Sequence, residues 1–148
     1  MPMTSCDVRT RQLVDAYVGL SRETLPALLA LYEEKASFKD PFNEVGSRPA
    51  IERIFSQMFD ELREPRFVVM NAASEGNDAF LTWELRFLRQ ANGASMAIRG
   101  ATHLQFSPAG LVTMHRDYWD AAEELYAKLP LLGTLMRALR RRLSTPQP

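Results

Sequence analysis

The sequence predicts an α+β fold in which helices come before an antiparallel sheet. One apolar stripe recurs at helical spacing, formed by Ile51, Ile54, Phe55, Met58, Phe59 and Leu62. After Pro65 the apolar period changes from about 3.6 to 2, which marks the passage from helices to strands. Turn signals at Asn92-Gly93 and at 107–110 divide this second part. Three helices and a meander of four long strands indicate helices segregated on one side of a sheet.

Length and composition indicate one domain spanning 1–148. The 148 residues suffice for a sizeable core, and the 46% hydrophobic content is that of a globular chain. The formal net charge is zero, so no overall field recruits nucleic acid or an anionic membrane. Cys6 is the single cysteine, which excludes an intrachain disulfide and favours a reducing compartment. With no signal-peptide pattern or membrane-length apolar run, we expect a cytoplasmic protein.

Each predicted helix has a capping residue and an apolar stripe. Thr4 or Ser5 caps the first, which carries Val8, Leu13, Val14, Tyr17 and Leu20. Thr24 caps the second, which carries Leu25, Leu28, Leu29 and Tyr32. A short extended piece at 36–39 then ends at Asp40-Pro41. The third helix holds the 51–62 stripe and is stopped by Pro65.

The predicted strands cover 66–74, 79–89, 95–106 and 111–119, with a turn at Gly76-Asn77. In the second strand, alternation places Trp83, Leu85 and Phe87 on one face. In the last strand it separates two sets of side chains. One face carries Thr113, His115, Asp117 and Trp119, and the other carries Val112, Met114, Arg116 and Tyr118. An imidazole, a carboxylate and an indole on one face suit a pocket for proton transfer.

The C-terminal part, 121–143, is predicted as a helical extension that Pro130 interrupts. Its second half carries an apolar stripe of Leu132, Leu135, Met136, Leu139 and Leu143, beside Arg137, Arg140, Arg141 and Arg142. The stripe needs a cover, and we expect it to dock on the body of the protein or on a second subunit. Zero net charge makes the membrane an unfavoured cover.

Two segments resemble a known superfamily. The segment 36–42, Ala-Ser-Phe-Lys-Asp-Pro-Phe, and the ending 110–119, Gly-Leu-Val-Thr-Met-His-Arg-Asp-Tyr-Trp, are similar to the nuclear transport factor 2-like superfamily. Its SnoaL-like and ketosteroid isomerase branches look closest. The resemblance implies a cone, with a curved sheet wrapped on the third helix, a pocket at the open end and a homodimer through the outer sheet face. It also implies Asp40 as a base and Tyr17 as an oxyanion hydrogen-bond donor.

The sequence departs from the isomerase pattern at two places. Thr102 stands where the isomerases have a second, protonated aspartate, and it cannot act as a carboxylic acid. His115 and Asp117 stand on the last strand at positions that are apolar in the isomerases. Steroid isomerisation by the isomerase constellation is therefore not expected. The SnoaL-like cyclases build inward acid–base pairs from His and Asp, so that branch fits better.

Each candidate catalytic residue also has a structural interpretation. Asp40 beside apolar walls would be a stronger base, but aspartate commonly starts a turn before proline. Asp117 could orient the imidazole of His115 and raise its basicity, or the two could form a satisfied structural pair. Tyr17 is a hydrogen-bond donor or a core aromatic. The predicted pocket walls are Phe55, Trp83, Leu85, Phe87, Thr102 and Trp119.

Metal and cofactor sites are not predicted. The sequence has no HxxxH or CxxC spacing and no phosphate-binding glycine loop, and His103 faces away from the pocket if Thr102 faces in. Three functions stay open from the sequence. One is cofactor-independent acid–base isomerisation, cyclisation or dehydration of a small, largely apolar molecule. The second is a non-catalytic module that binds a small ligand or a protein partner. The third is peripheral membrane or protein association through the C-terminal helix.

Overall fold

A computed structural model describes residues 5–124, 138–139 and 141–143. The elements in chain order are α1 (Val8–Val18), α2 (Leu25–Leu29), β1 (Tyr32–Lys39), β2 (Glu44–Val45), α3 (Arg48–Glu61), β3 (Arg63–Glu75), β4 (Asp78–Leu88), β5 (Ser95–Phe106), β6 (Val112–Tyr118) and α4 (Ala121–Glu124). The α+β prediction is confirmed. A curved sheet carries α1, α2 and α3 on its inner face, with the core between them.

The sheet has six strands rather than four, in the order β2-β1-β6-β5-β4-β3. Strands β3 to β6 form the predicted antiparallel meander. The addition is β1, which the sequence indicated only as a short piece at 36–39. It pairs in parallel with β6, so that Phe38 lies opposite His115. This pairing brings residues that precede α3 beside the last strand.

The first two helices differ from the prediction at their ends. Asp7, rather than Thr4 or Ser5, caps α1, because its side chain accepts a hydrogen bond from the Thr10 backbone N–H at 2.9 Å. The second helix ends at Leu29, and Tyr32 begins β1 instead of extending the α2 stripe. Tyr32 is fully buried. Its assignment to a helix was wrong because one side chain at helical spacing also fits the inner face of a strand.

Helix α3 begins at a Ser47 cap and packs its stripe onto the core. Ile51 and Phe55 are buried, while Ile54, Met58 and Leu62 pack partly buried against them. Leu62 is already extended, so the helix ends before Pro65 and β3 starts at Arg63. Strand β3 lies at the edge of the sheet and tolerates Pro65, because a proline without an N–H leaves no donor unpaired there.

A β-bulge changes the predicted faces of β6. The register passes from Gln105 opposite Met114 to Phe106 opposite Val112, which leaves Thr113 as the extra residue. Val112 and His115 are therefore both buried, although strict alternation places them on opposite faces. The faces predicted for Val112 and Thr113 were wrong, whereas His115 and Asp117 do share the inner face.

Most of the C-terminal extension lies outside the described residues, including Leu132, Leu135 and Met136. Residues 138–139 and 141–143 are helical, and Leu139 and Leu143 are exposed. No helix within the described ranges has the length and apolar character needed to cross a membrane.

We predict that Phe55→Ala lowers the free energy of unfolding by roughly 3–5 kcal/mol, because it empties a buried ring position in the core. Chemical denaturation measures this loss. Phe59→Ala is the matched control, since Phe59 is only half-buried beneath Arg22 and should cost less. A loss below about half a kcal/mol for Phe55→Ala would contradict the placement of α3.

Candidate functional site

A buried imidazole lies at the centre of the site. His115 is 3% exposed, with Phe38 stacked on its ring at 4.5 Å between centroids. Its Nε2 lies 2.7 Å from Asp117 Oδ1, and its Nδ1 lies 2.7 Å from the Tyr32 hydroxyl. Both ring nitrogens therefore have partners, which a buried imidazole requires.

The two tyrosine hydroxyls continue this line of hydrogen bonds. The hydroxyl of Tyr17, from α1, lies 2.5 Å from that of Tyr32 and 3.4 Å from His115 Nδ1. A carboxylate only accepts hydrogen bonds, so His115 Nε2 carries the hydrogen. In neutral imidazole Nδ1 then accepts from Tyr32, and Tyr32 accepts from Tyr17. Three elements, α1, β1 and β6, thus hold one continuous relay.

Asp117 is the point where a second line of hydrogen bonds joins. Its Oδ1 also accepts from the Thr102 hydroxyl at 2.5 Å, and Thr102 in turn accepts from the indole N–H of Trp83 at 2.8 Å. None of the described residues donates to the other oxygen, Oδ2. The side chain is 17% exposed, so this oxygen is the part of the carboxylate left for a ligand or for water.

Trp83 reaches Thr102 because Gly100 lies opposite it on β5. A Cβ atom at Gly100 would lie 2.5 Å from Cη2 and Cζ2 of Trp83, closer than such atoms approach in proteins. The absent side chain lets the indole approach the backbone of the neighbouring strand closely. Gly100 therefore fixes one wall of the site.

The network surrounds a cavity of about 30 Å³. Its lining residues are Tyr17, Phe55, Phe67, Val69, Leu81, Trp83, Thr102, His115 and Asp117. One water molecule needs roughly 10–15 Å³ of such space, whereas small-molecule pockets measure about 300–1,000 Å³. In this conformation the cavity has room for water or a small chemical group but not for a whole ligand.

A larger, open depression of about 560 Å³ lies beside the last strand. Asp40, Pro41, Asp117 and Trp119 are among its lining residues. Asp117 lines both this depression and the buried cavity. Phe42 packs edge-on against Trp119, with 5.6 Å between ring centroids.

Asp40 does not converge with His115 in the buried cavity. Its Oδ1 accepts from the backbone N–H groups of Phe42 and Asn43, at 2.8 and 2.7 Å. The Asn43 amide donates to both carboxylate oxygens. These contacts are those of a turn-forming aspartate. Asp40 lies at the open depression instead, and its role as a base stays a prediction.

The predicted pocket walls divide into two groups. Phe55, Trp83 and Thr102 line the cavity, together with Tyr17 and the His115–Asp117 pair. Trp119 lies at the open depression, Phe87 lines a separate depression at the far end of β4, and Leu85 lines none of these spaces. Leu85 and Phe87 lie two and four residues after Trp83 on the same face of β4. Because the sheet is curved, they lie progressively farther from a cavity at the other end of the strand.

Tyr32 and Phe67 are site residues that the sequence patterns did not indicate. Alternation back from Phe38 passes through the exposed Glu34 and a register shift between Tyr32 and Ser37, so it does not predict the inward direction of Tyr32. Phe67 meets Tyr17 and Trp83 edge-on, at 5.5 and 5.7 Å between centroids. His103 points to the outer face, as predicted, where it pairs with Asp78 and stacks on Phe80.

Burial raises the pKa values of the two tyrosine hydroxyls. Removal from water raises the pKa of Tyr17 well above its ordinary value, and the neighbouring Tyr32 raises it further. Burial likewise raises the pKa of Tyr32, against a smaller opposite effect of its hydrogen bond to Tyr17. Both groups therefore stay protonated as hydroxyls at neutral pH. Across the described ranges, no three His, Cys, Asp or Glu side chains are grouped so that they could hold a metal ion.

The sequence matches the profile of the SnoaL-like domain over residues 11–115. The chain belongs to the SnoaL-like domain family. That match begins within α1 and ends at His115, so it includes every residue of the network except Asp117. No curated protein matches this SnoaL-like chain.

Solved structures share the fold of this SnoaL-like chain at low sequence identity. A Catenulispora acidiphila protein with a ketosteroid isomerase-like fold, in complex with trimethylamine, is 15% identical with a TM-score of 0.71, covering 85% of this chain and 96% of its own. AclR, a putative hydroxylase from Streptomyces galilaeus, is 16% identical with a TM-score of 0.68 and the same two coverages, 85% and 96%. SalBIII, an epoxide hydrolase/cyclase-like enzyme of pyran ring formation in salinomycin, is 14% identical with a TM-score of 0.66, covering 76% and 90%.

We predict that Gly100→Ala destabilises the protein by about 1–3 kcal/mol, because the new methyl group displaces the Trp83 indole. Chemical denaturation followed by tryptophan fluorescence measures both the stability and the indole environment. Gly46→Ala is the control, since nothing lies within 4 Å of a Cβ atom placed there. Equal effects of the two substitutions would contradict the close contact between Gly100 and Trp83.

The raised tyrosine pKa values predict a loss of stability in alkali. In the unfolded chain both hydroxyls ionise near pH 10, whereas in the folded chain they stay protonated. Their contribution is complete below pH 10 and falls above it, by about 1.4 kcal/mol per pH unit for each tyrosine.

Urea denaturation at a series of alkaline pH values measures this slope. Tyr32→Phe should reduce it by one tyrosine's share, while Tyr118→Phe, which removes a half-exposed tyrosine, is the control. A slope that Tyr32→Phe leaves unchanged would show that burial does not hold this hydroxyl protonated.

Proposed function

We propose that this protein is a cofactor-independent enzyme that moves protons on a small, largely apolar molecule. One observation carries the proposal: Asp117 lines both the buried cavity and the open depression. Its Oδ1 is held by His115 and Thr102, while its Oδ2 accepts nothing from the described residues. A fixed carboxylate with one free oxygen, beside apolar walls, is suited to general base catalysis.

The other polar residues have supporting roles in this proposal. His115 orients Asp117 through Nε2–H and is itself fixed by Tyr32. Tyr17 supplies a hydrogen bond to the ligand at the inner end of the cavity. Phe55, Phe67 and Trp83 exclude water and contact the apolar part of the ligand. Asp40 and Trp119 line the entrance.

The sizes of the two spaces support a ligand that extends from the buried cavity past Asp117 into the open depression. The cavity of about 30 Å³ would take one reacting group, and the depression of about 560 Å³ would hold the rest. For a ligand that enters further, the half-buried Phe67 would move aside while Trp83 stays held by Gly100 and Thr102. The reaction would then occur at the boundary between the two spaces, where the carboxylate lies.

Two of the structurally similar proteins carry enzyme names from different reaction classes. AclR is described as a putative hydroxylase, and SalBIII as epoxide hydrolase/cyclase-like. At this identity they establish the common fold, not a common reaction. Isomerisation, cyclisation and dehydration can each use a base together with a group that hydrogen-bonds to the reacting oxygen. Asp117 and Tyr17 are the residues proposed for these two roles.

A second candidate is a binding module without catalysis. The observation in its favour is that both nitrogens of His115 and one oxygen of Asp117 are already satisfied within the protein. In that case the network would specify the buried structure, and the cavity would only admit a ligand.

We also propose a homodimer through the outer sheet face. Phe80, His103 and Arg116 lie side by side on β4, β5 and β6, and Phe80 and Tyr118 are each half exposed. Zero net charge removes overall repulsion between two copies. Sedimentation equilibrium measures the mass in solution, and the mass of a single chain would contradict this dimer. A cytoplasmic location stays a prediction, based on the single Cys6.

The base assignment predicts the outcome of a hydrogen-exchange assay. A panel of small apolar ketones in heavy water should exchange protons next to the carbonyl, followed by NMR. Asp117→Asn should slow this exchange by about 10²–10⁴-fold, because amide nitrogen and oxygen cannot take the proton.

Asp40→Asn is the matched control, since it changes a carboxylate at the entrance and should leave most of the activity. An Asp117→Asn variant that binds the same ketones, without exchange in either protein, would favour the binding module. Exchange lost in Asp40→Asn but kept in Asp117→Asn would restore Asp40 as the base.

A further inference from the structure

The relay ends at the Tyr17 hydroxyl, and the charge of His115 determines whether this hydroxyl donates its hydrogen bond to Tyr32 or into the cavity. From each packed element, the titratable or charged groups around the imidazole are Tyr17 on α1, Tyr32 on β1 and Asp117 on β6. Helix α3 adds Arg48, whose guanidinium donates to the backbone carbonyl of Tyr32. Phe38, which stacks on the ring, is apolar.

With neutral His115, every hydroxyl proton of the relay is used inside the protein. Nε2–H donates to Asp117, Tyr32 donates to Nδ1, and Tyr17 donates to Tyr32. The Tyr17 oxygen then has only lone pairs left for the cavity. In this state the inner end of the cavity can accept a hydrogen bond but cannot give one.

Protonation of His115 reverses the two tyrosine hydrogen bonds. Imidazolium donates from both nitrogens, so Nδ1–H must donate to the Tyr32 oxygen. Tyr32 then donates to Tyr17. The described residues offer the Tyr17 hydroxyl no other acceptor, because His115 Nδ1 now carries a hydrogen. Since Tyr17 lines the cavity, its hydroxyl proton becomes available to a ligand there.

We propose that the cavity binds a ligand oxygen of the carbonyl, enolate or phenolate class, and that binding takes up one proton on His115. The proton comes from solvent, and Tyr32 passes the change to Tyr17 by reversing its own hydrogen bond. Asp117 balances the new imidazolium charge at 2.7 Å. This inference rests on the proposed function, because it places the ligand oxygen opposite the base. Tyr32 is a positioning residue, and Tyr17 contacts the ligand.

Calorimetry with para-nitrophenolate tests the proton uptake. Titrations at a pH where the probe is ionised are run in two buffers that differ in ionisation enthalpy. The wild-type protein should take up about one proton for each bound probe. Tyr17→Phe should weaken binding at least tenfold. Tyr32→Phe should keep binding but lose the uptake, whereas Tyr118→Phe should change neither.

Nitrogen-15 NMR of the His115 ring provides a second measurement. If Tyr32 had only a structural role, the protonation of the ring nitrogens would not change when the probe binds. The free wild-type protein should show hydrogen on Nε2 only, and the complex should show hydrogen on both nitrogens. Binding without proton uptake, an unchanged ring on binding, or no binding of the probe would each overturn the inference. The ketone exchange assay separates the two ideas, since loss of exchange in Asp117→Asn would support the base whatever the calorimetry gives.

Discussion

The site depends on the pairing of both nitrogens of one buried imidazole. His115 is 3% exposed, and an imidazole with one unpaired nitrogen in such a place would cost about 1–3 kcal/mol. Its partners come from different parts of the chain: Tyr32 lies 83 residues earlier and Asp117 two residues later. The local partner follows from strand alternation. The distant partner requires β1 to lie beside β6, so the parallel pair at the end of the meander is what completes the site.

Two irregularities in the strands make this arrangement possible. In β6 the bulge at Thr113 lets Val112 fill the core while His115 still faces inward. In β1 the register with β6 shifts between Tyr32 and Ser37, so Tyr32 is buried beneath the helices while Phe38 stacks on His115. Bulges re-aim side chains at the expense of a ladder hydrogen bond, and they are common beside functional sites. Here one lies on β6 two residues before His115, and the other lies on β1 between Tyr32 and Phe38, which both contact the imidazole.

Sequence patterns predicted the parts of the site that follow from local periodicity. The shared face of His115 and Asp117, the inward Thr102 and Trp83, and the packing of Phe55 all follow from periods of 2 or 3.6. Tyr32 was misassigned because a residue three after Leu29 also continues a helical stripe. Asp40 matched a family position, but its hydrogen bonds to Phe42 and Asn43 depend on the three-dimensional turn and have no sequence pattern of their own. A bulge adds one residue with no compositional mark, so the faces of Val112 and Thr113 were not predictable either.

The small size of the cavity also follows from the network. Trp83 lies close against Gly100 and donates to Thr102, and so forms a fixed wall of the cavity that Tyr17 and Phe67 also line. A wider cavity would expose Thr102 and Asp117 Oδ1 to water, which would compete for their hydrogen bonds and weaken the orientation of Asp117. A ligand that fills the space with apolar atoms keeps these bonds dry, and electrostatic interactions among them are then stronger. The walls that limit the size of the cavity therefore also keep the Asp117 carboxylate oriented.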